Sequence, residues 1–123
     1  MTGKDIVLVL DCADLDRSAA FWCEVLDYRA EPGGTGRYRR LLPAGRPGVE
    51  LLLQRVPEPK TDVKNRLHLD LRVPDLTTEV ARVIEAGGRQ VTDTPVVEDG
   101  WTWHVLADPD GNEFCVLQPP LPK

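Results

Sequence analysis

An internal repeat constrains the fold of this chain more than any other feature. When Asp14 is placed on Asp75, 61 residues later, the apolar residues of IVLVLDCADLDRSAAFWCEVLDY fall into register with those of LHLDLRVPDLTTEVARVIEAGGR. Further on, GVELLLQ from Gly48 lies without a gap on GNEFCVL from Gly111, 63 residues later. Both offsets are close to half of the 123 residues, so the chain is interpreted as two copies of one module.

Each copy has the pattern of a strand, a helix and three further strands, which predicts an α+β fold of two βαβββ modules. The first strands are predicted at about 5–11 and 66–73, and the helices at about 15–26 and 76–86 with Asp14 and Asp75 as N-caps. The shorter strands are predicted near 28–32, 37–42 and 48–56, and then near 89–94, 101–107 and 112–118. We expect one domain over 1–123, with module 1 at about 1–60 and module 2 at about 61–123.

Composition and charge narrow the classes of function. A formal charge of −5 and a pI near 5.0 argue against a nucleic-acid-binding surface. The sequence lacks a run of 18 apolar residues and a signal-peptide pattern, which predicts no membrane partner and a cytoplasmic location. Cys12, Cys23 and Cys115 are odd in number and lack CxxC spacing, which favours reduced thiols over a disulfide framework.

The stretch NRLHLDLRVPDL marks the most informative strand. From Arg66 to Val73 polar and apolar residues alternate strictly, as in a strand whose two faces meet different surroundings. The polar face carries Arg66, His68 and Asp70. Bulk water and a polar-lined ligand cavity are the two alternatives for what this face meets.

Three stretches, ADLDRSAAFWCEVLDY, KNRLHLDLRVPDL and LADPDGNEFCVLQ, resemble the vicinal oxygen chelate superfamily, which includes glyoxalase I, extradiol dioxygenases, fosfomycin-resistance proteins and bleomycin-binding proteins. The last two are especially similar to its small glyoxalase-like branch. The resemblance covers nearly the whole chain. It implies a curled eight-stranded mixed sheet around a cavity, with the helices on its convex side and the face of His68 turned into the cavity.

The resemblance also gives expected positions for metal ligands, one on the first and one on the last strand of each module. His68 stands at one of these positions, and Cys115 stands where a Glu is usual. In the first module the corresponding residues are Val7 and Leu52, which offer no donor atom. Because most stable sites need at least three protein ligands, we expect no metal residue and no cofactor. The alternative is a soft divalent metal on His68 and Cys115 with help from a nearby glutamate.

Strand alternation then predicts an apolar and aromatic pocket with few polar groups, which is typical of small-molecule sites. His68 and Asp70 are the catalytic candidates, since two residues apart on one strand face they can reach one ligand, and His is a natural general acid or base. The ligand-binding candidates are Tyr38, Arg40, Glu50, Gln54, Arg66, Trp101, Trp103, Glu113 and Cys115. The alternatives are core packing for the tryptophans, pairing with acidic residues for the arginines, and a small buried hydrophobe for Cys115.

Three hypotheses for function remain open. The first is a metal-free protein that binds a small amphipathic or aromatic molecule in the cavity. The second is a lyase or isomerase that uses His68 in acid/base chemistry, with or without a divalent metal. The third is a structural or regulatory dimer with a vestigial pocket. In each case the resemblance implies a homodimer.

Overall fold

The computed structural model describes residues 6–32, 36–63 and 65–122. The chain divides into two compact units, Met1–Pro59 and Lys60–Lys123. Within the described residues each unit has one α-helix and one mixed β-sheet. None of the described helices is both long and apolar enough to cross a membrane.

The first unit contains, in chain order, β1 (Val7–Cys12), α1 (Leu15–Leu26), β2 (Tyr28–Ala30), β3 (Tyr38–Pro43) and β4 (Glu50–Arg55). Its sheet has the order β1-β4-β3-β2, with β1 parallel to β4 and the other pairs antiparallel. The N-cap Asp14 is confirmed, because its carboxylate accepts a hydrogen bond from the backbone N–H of Arg17 at 3.1 Å.

One face of the first sheet, together with α1, forms the core of the first unit. Leu41, Leu51 and Leu53 are almost fully buried, as are Phe21 and Trp22 on the helix. The two aromatic rings meet edge to face, with centroids 5.0 Å apart. The alternation in β4 therefore leaves its other residues on the opposite, open face.

The second unit contains β5 (Asp70–Arg72), α2 (Leu76–Glu85), β6 (Arg89–Gln90), β7 (Val96–Glu98), β8 (Trp101–Ala107) and β9 (Glu113–Gln118). Its sheet has the order β5-β9-β8-β6, with β7 also paired to β8 and β5 parallel to β9. Asp75 caps α2 by accepting from the N–H of Thr78 at 3.2 Å. The amide oxygen of Gln118 accepts from the N–H of Leu76 at 2.8 Å, which ties the start of α2 to the end of β9.

The α+β class, the mixed sheets and the repeat are confirmed. Val9 is the partner of Leu52 in the first sheet, and Asp70 is the partner of Cys115 in the second. The offsets of 61 and 63 residues relate these same pairs to each other, so the two copies have the same strand register. The backbone thus repeats although the side chains differ.

Two details of the predicted architecture are corrected. The described residues hold nine strands in separate sheets of four and five strands, rather than one sheet of eight, because the predicted strand 89–94 is replaced by β6 and β7. The predicted strand 66–73 shortens to Asp70–Arg72, and His68 lies just before it. The pairing of β5 with β9 begins with the hydrogen bond that the Cys115 N–H donates to the Leu69 carbonyl (2.9 Å). This bond lies close to the first residue of β9.

Candidate functional site

A tight turn between β8 and β9 fixes the strands that carry the candidate site. The buried carboxylate of Asp108 accepts hydrogen bonds from the backbone N–H groups of Asp110 (2.9 Å) and Asn112 (2.8 Å), and from the side-chain amide of Asn112 (3.0 Å). Gly111 takes the positive φ of 87° that this turn requires. The stretch DPDGN is thus a structural turn, and it sets the register of the hairpin.

The β8–β9 hairpin has one buried and one open face. Leu106, Phe114 and Val116 are almost fully buried on the side of α2. The opposite face carries Val105 beside Cys115 and Trp103 beside Leu117, as the register requires. A half-buried apolar and aromatic surface therefore lies next to the short edge strand β5.

A cavity of about 320 Å³ opens on this face of the second unit. Its lining is mostly aliphatic and aromatic along β8 and β9, where Glu113 and Cys115 are the exceptions, and polar beside β5. The lining residues are Asn65, His68, Asp70, Trp103, Val105, Glu113, Phe114, Cys115 and Leu117. His68, Asp70, Trp103, Glu113 and Cys115 were all candidates from the sequence.

The polar end of the cavity is a cluster of three side chains, His68, Asp70 and Cys115. The Nδ1 atom of His68 lies 3.2 Å from a carboxylate oxygen of Asp70. One donor atom from each of the three residues lies within 4.8 Å of the other two. The parallel register places Asp70 directly beside Cys115, and the 3.2 Å contact with Asp70 places His68, just before β5, at the same end. We call these three residues the polar cluster.

Two candidates on the second unit are placed elsewhere. In the described part of the chain neither Arg66 nor Trp101 lines this cavity. The guanidinium carbon of Arg72 lies 5.2 Å from the centre of the Trp101 ring, which is a cation–π contact. Arg66 is exposed before β5. Ligand binding by these two residues stays a prediction.

The four remaining candidates lie on the first unit. Tyr38 is the partner of Gln54 between β3 and β4, and it is 47% exposed. Arg40 donates to Glu31 at 2.6 Å and to Glu50 at 2.8 Å. The hydrogen bond with Glu50, followed by the charge of Glu31, raises the pKa of Arg40 above its ordinary value. The pairing of this arginine with an acidic residue is confirmed, and a role of the four residues in ligand binding stays a prediction.

Tertiary contacts add residues that the sequence did not single out. Lys60 lies 3.7 Å from the carboxylate of Glu113 and donates to the backbone carbonyls of Thr61 and Val63. Asn65 lines the cavity although strand alternation pointed to its neighbour Arg66. Neither role has a signal in the strand pattern, because both residues precede β5 in irregular backbone. His104, the neighbour of Trp103 on β8, is not part of the cavity lining, and its Nδ1 atom lies 2.9 Å from the Thr92 hydroxyl.

Comparison with known proteins decides the family. Residues 7–117 match the family model described as the glyoxalase-like domain. The chain belongs to this family. A comparison with curated proteins gave no match.

Solved structures show that this glyoxalase-like domain has the vicinal oxygen chelate fold, as the sequence predicted. A glyoxalase/bleomycin resistance protein/dioxygenase family enzyme from Burkholderia phytofirmans is 18% identical, with a TM-score of 0.73 over 91% of this chain and 95% of that chain. A fosfomycin resistance protein, FosX from Listeria monocytogenes, in complex with Mn(II) and a dihydroxypropylphosphonic acid, is 15% identical, with a TM-score of 0.74 over 98% of this chain and 93% of that chain. A hypothetical protein from S. aureus is 23% identical, with a TM-score of 0.70 over 96% and 99%.

The polar cluster is also a group of donors that could hold a metal ion. The polar cluster supplies one imidazole nitrogen, one carboxylate oxygen and one sulfur within 4.8 Å of one another. Such a set fits a borderline or soft divalent ion, whereas Mn(II) and Mg(II) prefer sites made of oxygen donors. The donor types of the polar cluster therefore suit a zinc-class ion better than one that prefers oxygen ligands.

Proposed function

We propose that this glyoxalase-like domain binds a small amphipathic or aromatic molecule in the cavity of its second unit. The observation that carries the proposal is the cavity itself, about 320 Å³ in volume, with an apolar wall and one polar end. Small-molecule sites have this composition and volumes of roughly 300 to 1,000 Å³. The volume favours a ligand at the small end of that range.

The shape of the lining indicates how the ligand lies. Trp103 offers an aromatic face beside Leu117 and Val105, which suits an apolar or aromatic group. His68 and Asp70 stand at the other end and suit a hydroxyl, carbonyl or amine. A ligand with one apolar and one polar end satisfies both parts of the cavity.

A thermal-shift screen against small aromatic acids, alcohols and aldehydes tests the proposal. A ligand present at a concentration of about a hundred times its Kd stabilises the native state by about 2.7 kcal/mol, which raises Tm measurably. Trp103→Ala should weaken the best ligand at least tenfold. Thr102→Ala is the control, because it changes the neighbouring residue of the same strand, which does not line the cavity. Equal losses in the two variants would contradict binding in this cavity.

A lyase or isomerase that uses acid/base chemistry is the second candidate, and the 3.2 Å contact between His68 and Asp70 favours it. A carboxylate beside an imidazole orients the ring, as a general acid or base requires. His68→Ala should then reduce kcat by about a hundredfold or more with ligand binding retained. Loss of binding without any turnover in the native protein would support the binding function alone. A folded protein with neither binding nor turnover would favour the third hypothesis, a vestigial pocket.

A homodimer and a cytoplasmic location are also proposed. Each sheet ends in edge strands, β1 and β2 in the first and β5 and β6 in the second, and such edges favour association. None of the three cysteines, all in the described part of the chain, forms a disulfide, which suits a reducing compartment. Sedimentation showing a monomer at tens of micromolar, an order-of-magnitude choice at which weak interfaces are partly populated, would contradict the dimer.

A further inference from the structure

We propose that His68, Asp70 and Cys115 bind one divalent ion of the zinc class, with all three protein ligands in the second unit. The site deepens the proposed function, because the same three residues form the polar end of the cavity. It departs from the ligand pattern of the superfamily, whose first-module positions are Val7 and Leu52 here. Asp70, which lies outside that pattern, supplies the third donor.

The donor atoms of the polar cluster lie near the separations that a shared ion needs. Zinc bonds of about 2.0 to 2.3 Å place neighbouring ligand atoms roughly 3.3 to 3.7 Å apart. The His68 and Asp70 atoms are already 3.2 Å apart, and no pair in the cluster exceeds 4.8 Å. Since the side chains of His68 and Asp70 are 38% and 49% exposed, both can turn toward Cys115 without disturbing the core.

The rigid part of the site is the strand pair that carries it. Asp70 and Cys115 are register partners in the parallel ladder, which the Cys115 N–H to Leu69 carbonyl bond (2.9 Å) and the Val73 N–H to Leu117 carbonyl bond (2.8 Å) hold on either side. The turn between β8 and β9, held by the Asp108 carboxylate, fixes β9 against β8. Two of the three ligands therefore have their backbone positions set before an ion arrives.

The donor types decide which ion is preferred. A cysteine thiolate favours zinc and other borderline or soft ions, while Mg(II), Ca(II) and Mn(II) favour oxygen ligands. Three protein ligands leave a tetrahedral ion with one open position, as in catalytic zinc sites. Because the three residues line the same cavity as Trp103 and Val105, an oxygen or nitrogen atom of the cavity ligand could complete the coordination of a bound ion.

Cobalt(II) titration of the reduced, metal-free protein tests the site without any organic ligand. We expect one Co(II) per chain, with the near-ultraviolet absorption that marks a cysteine thiolate bound to cobalt. Zn(II) should displace the cobalt, whereas the same concentration of Mn(II) should not. Cys115→Ser should abolish the absorption. Asp70→Asn should weaken Co(II) binding at least tenfold. Circular dichroism checks that each variant is folded.

Matched variants guard against binding elsewhere. Cys23→Ser should keep the absorption, because burial raises the pKa of the Cys23 thiol and this residue lies on α1 in the first unit. Asp93→Asn, an exposed carboxylate outside the polar cluster, should leave the affinity unchanged. The inference is overturned if the native protein lacks the absorption, if Cys115→Ser keeps it, or if Asp70→Asn binds Co(II) as tightly as the native protein. The thermal-shift screen for organic ligands is run separately, with a chelator that removes metal ions. The proposed cavity ligand and the proposed metal site can therefore fail independently of each other.

Discussion

The open faces of the two sheets share a backbone and differ in chemistry. On the first sheet Val9 is paired with Leu52, and on the second the equivalent pair is Asp70 with Cys115. Two residues before Val9 and Asp70, Val7 in the first copy corresponds to His68 in the second. The first unit thus presents aliphatic side chains where the second presents the polar cluster. The two copies therefore share the backbone register, while the residues at the positions of the polar cluster differ.

The buried faces, in contrast, are alike in the two units. Leu41 on β3 is opposite Leu51, and Leu106 on β8 is opposite Phe114, at equivalent places in the two registers. All four side chains are at most 2% exposed. A close-packed core tolerates few changes, whereas an open face is limited mainly by solubility and function.

The largest expected effect tests the likeness of the cores. Leu41→Ala and Leu106→Ala remove the same side chain from equivalent positions that are both 0% exposed. Each should lower the free energy of unfolding by about 2 to 5 kcal/mol, through lost burial and the cavity left behind. Chemical denaturation measures both values. A loss below about 1 kcal/mol in either variant would show that the two cores are not equivalent.

The next prediction transfers the polar cluster to the first unit. In a Cys115→Ser background, Val7→His with Val9→Asp and Leu52→Cys should restore the thiolate-to-cobalt absorption and tighten Co(II) binding at least tenfold, which is about 1.4 kcal/mol. Val7 and Val9 are 41% and 55% exposed, so polar replacements there do not bury charge. Leu52→Cys alone in the same background is the control. If it restores the absorption equally well, the other two ligands contribute nothing.

The smallest expected effect concerns the helix caps, which both copies retain. Asp14→Ala and Asp75→Ala should each cost about 1 kcal/mol in thermal or chemical unfolding, because each exposes a backbone N–H that the carboxylate now satisfies. Asp14→Asn and Asp75→Asn are the controls, since asparagine caps nearly as well. A cost confined to one of the two helices would break the symmetry of the repeat.

Several parts of the site could be predicted because they depend on local pattern. Strand alternation placed Trp103, Glu113 and Cys115 on the open face, and the structure brings all three to the cavity. Arg66 and Trp101, also expected on this side, are not among the described residues that line the cavity. Residues before Asp70 leave the strand, so alternation no longer fixes their direction, and Trp101 contacts Arg72 instead.

The sequence by itself determined the repeat, both helices with their aspartate caps, and the face that each residue of β4 and β9 occupies. These features depend on neighbours within a few residues, whose periodicity is written in the chain. Only the tertiary structure decided that Asp70 lies beside Cys115, that Lys60 lies 3.7 Å from Glu113, and that His68 ends up outside a strand but within the polar cluster. The reason is that parallel pairing joins strands far apart in the chain, and a shift of one residue in that register would turn every side chain to the other face.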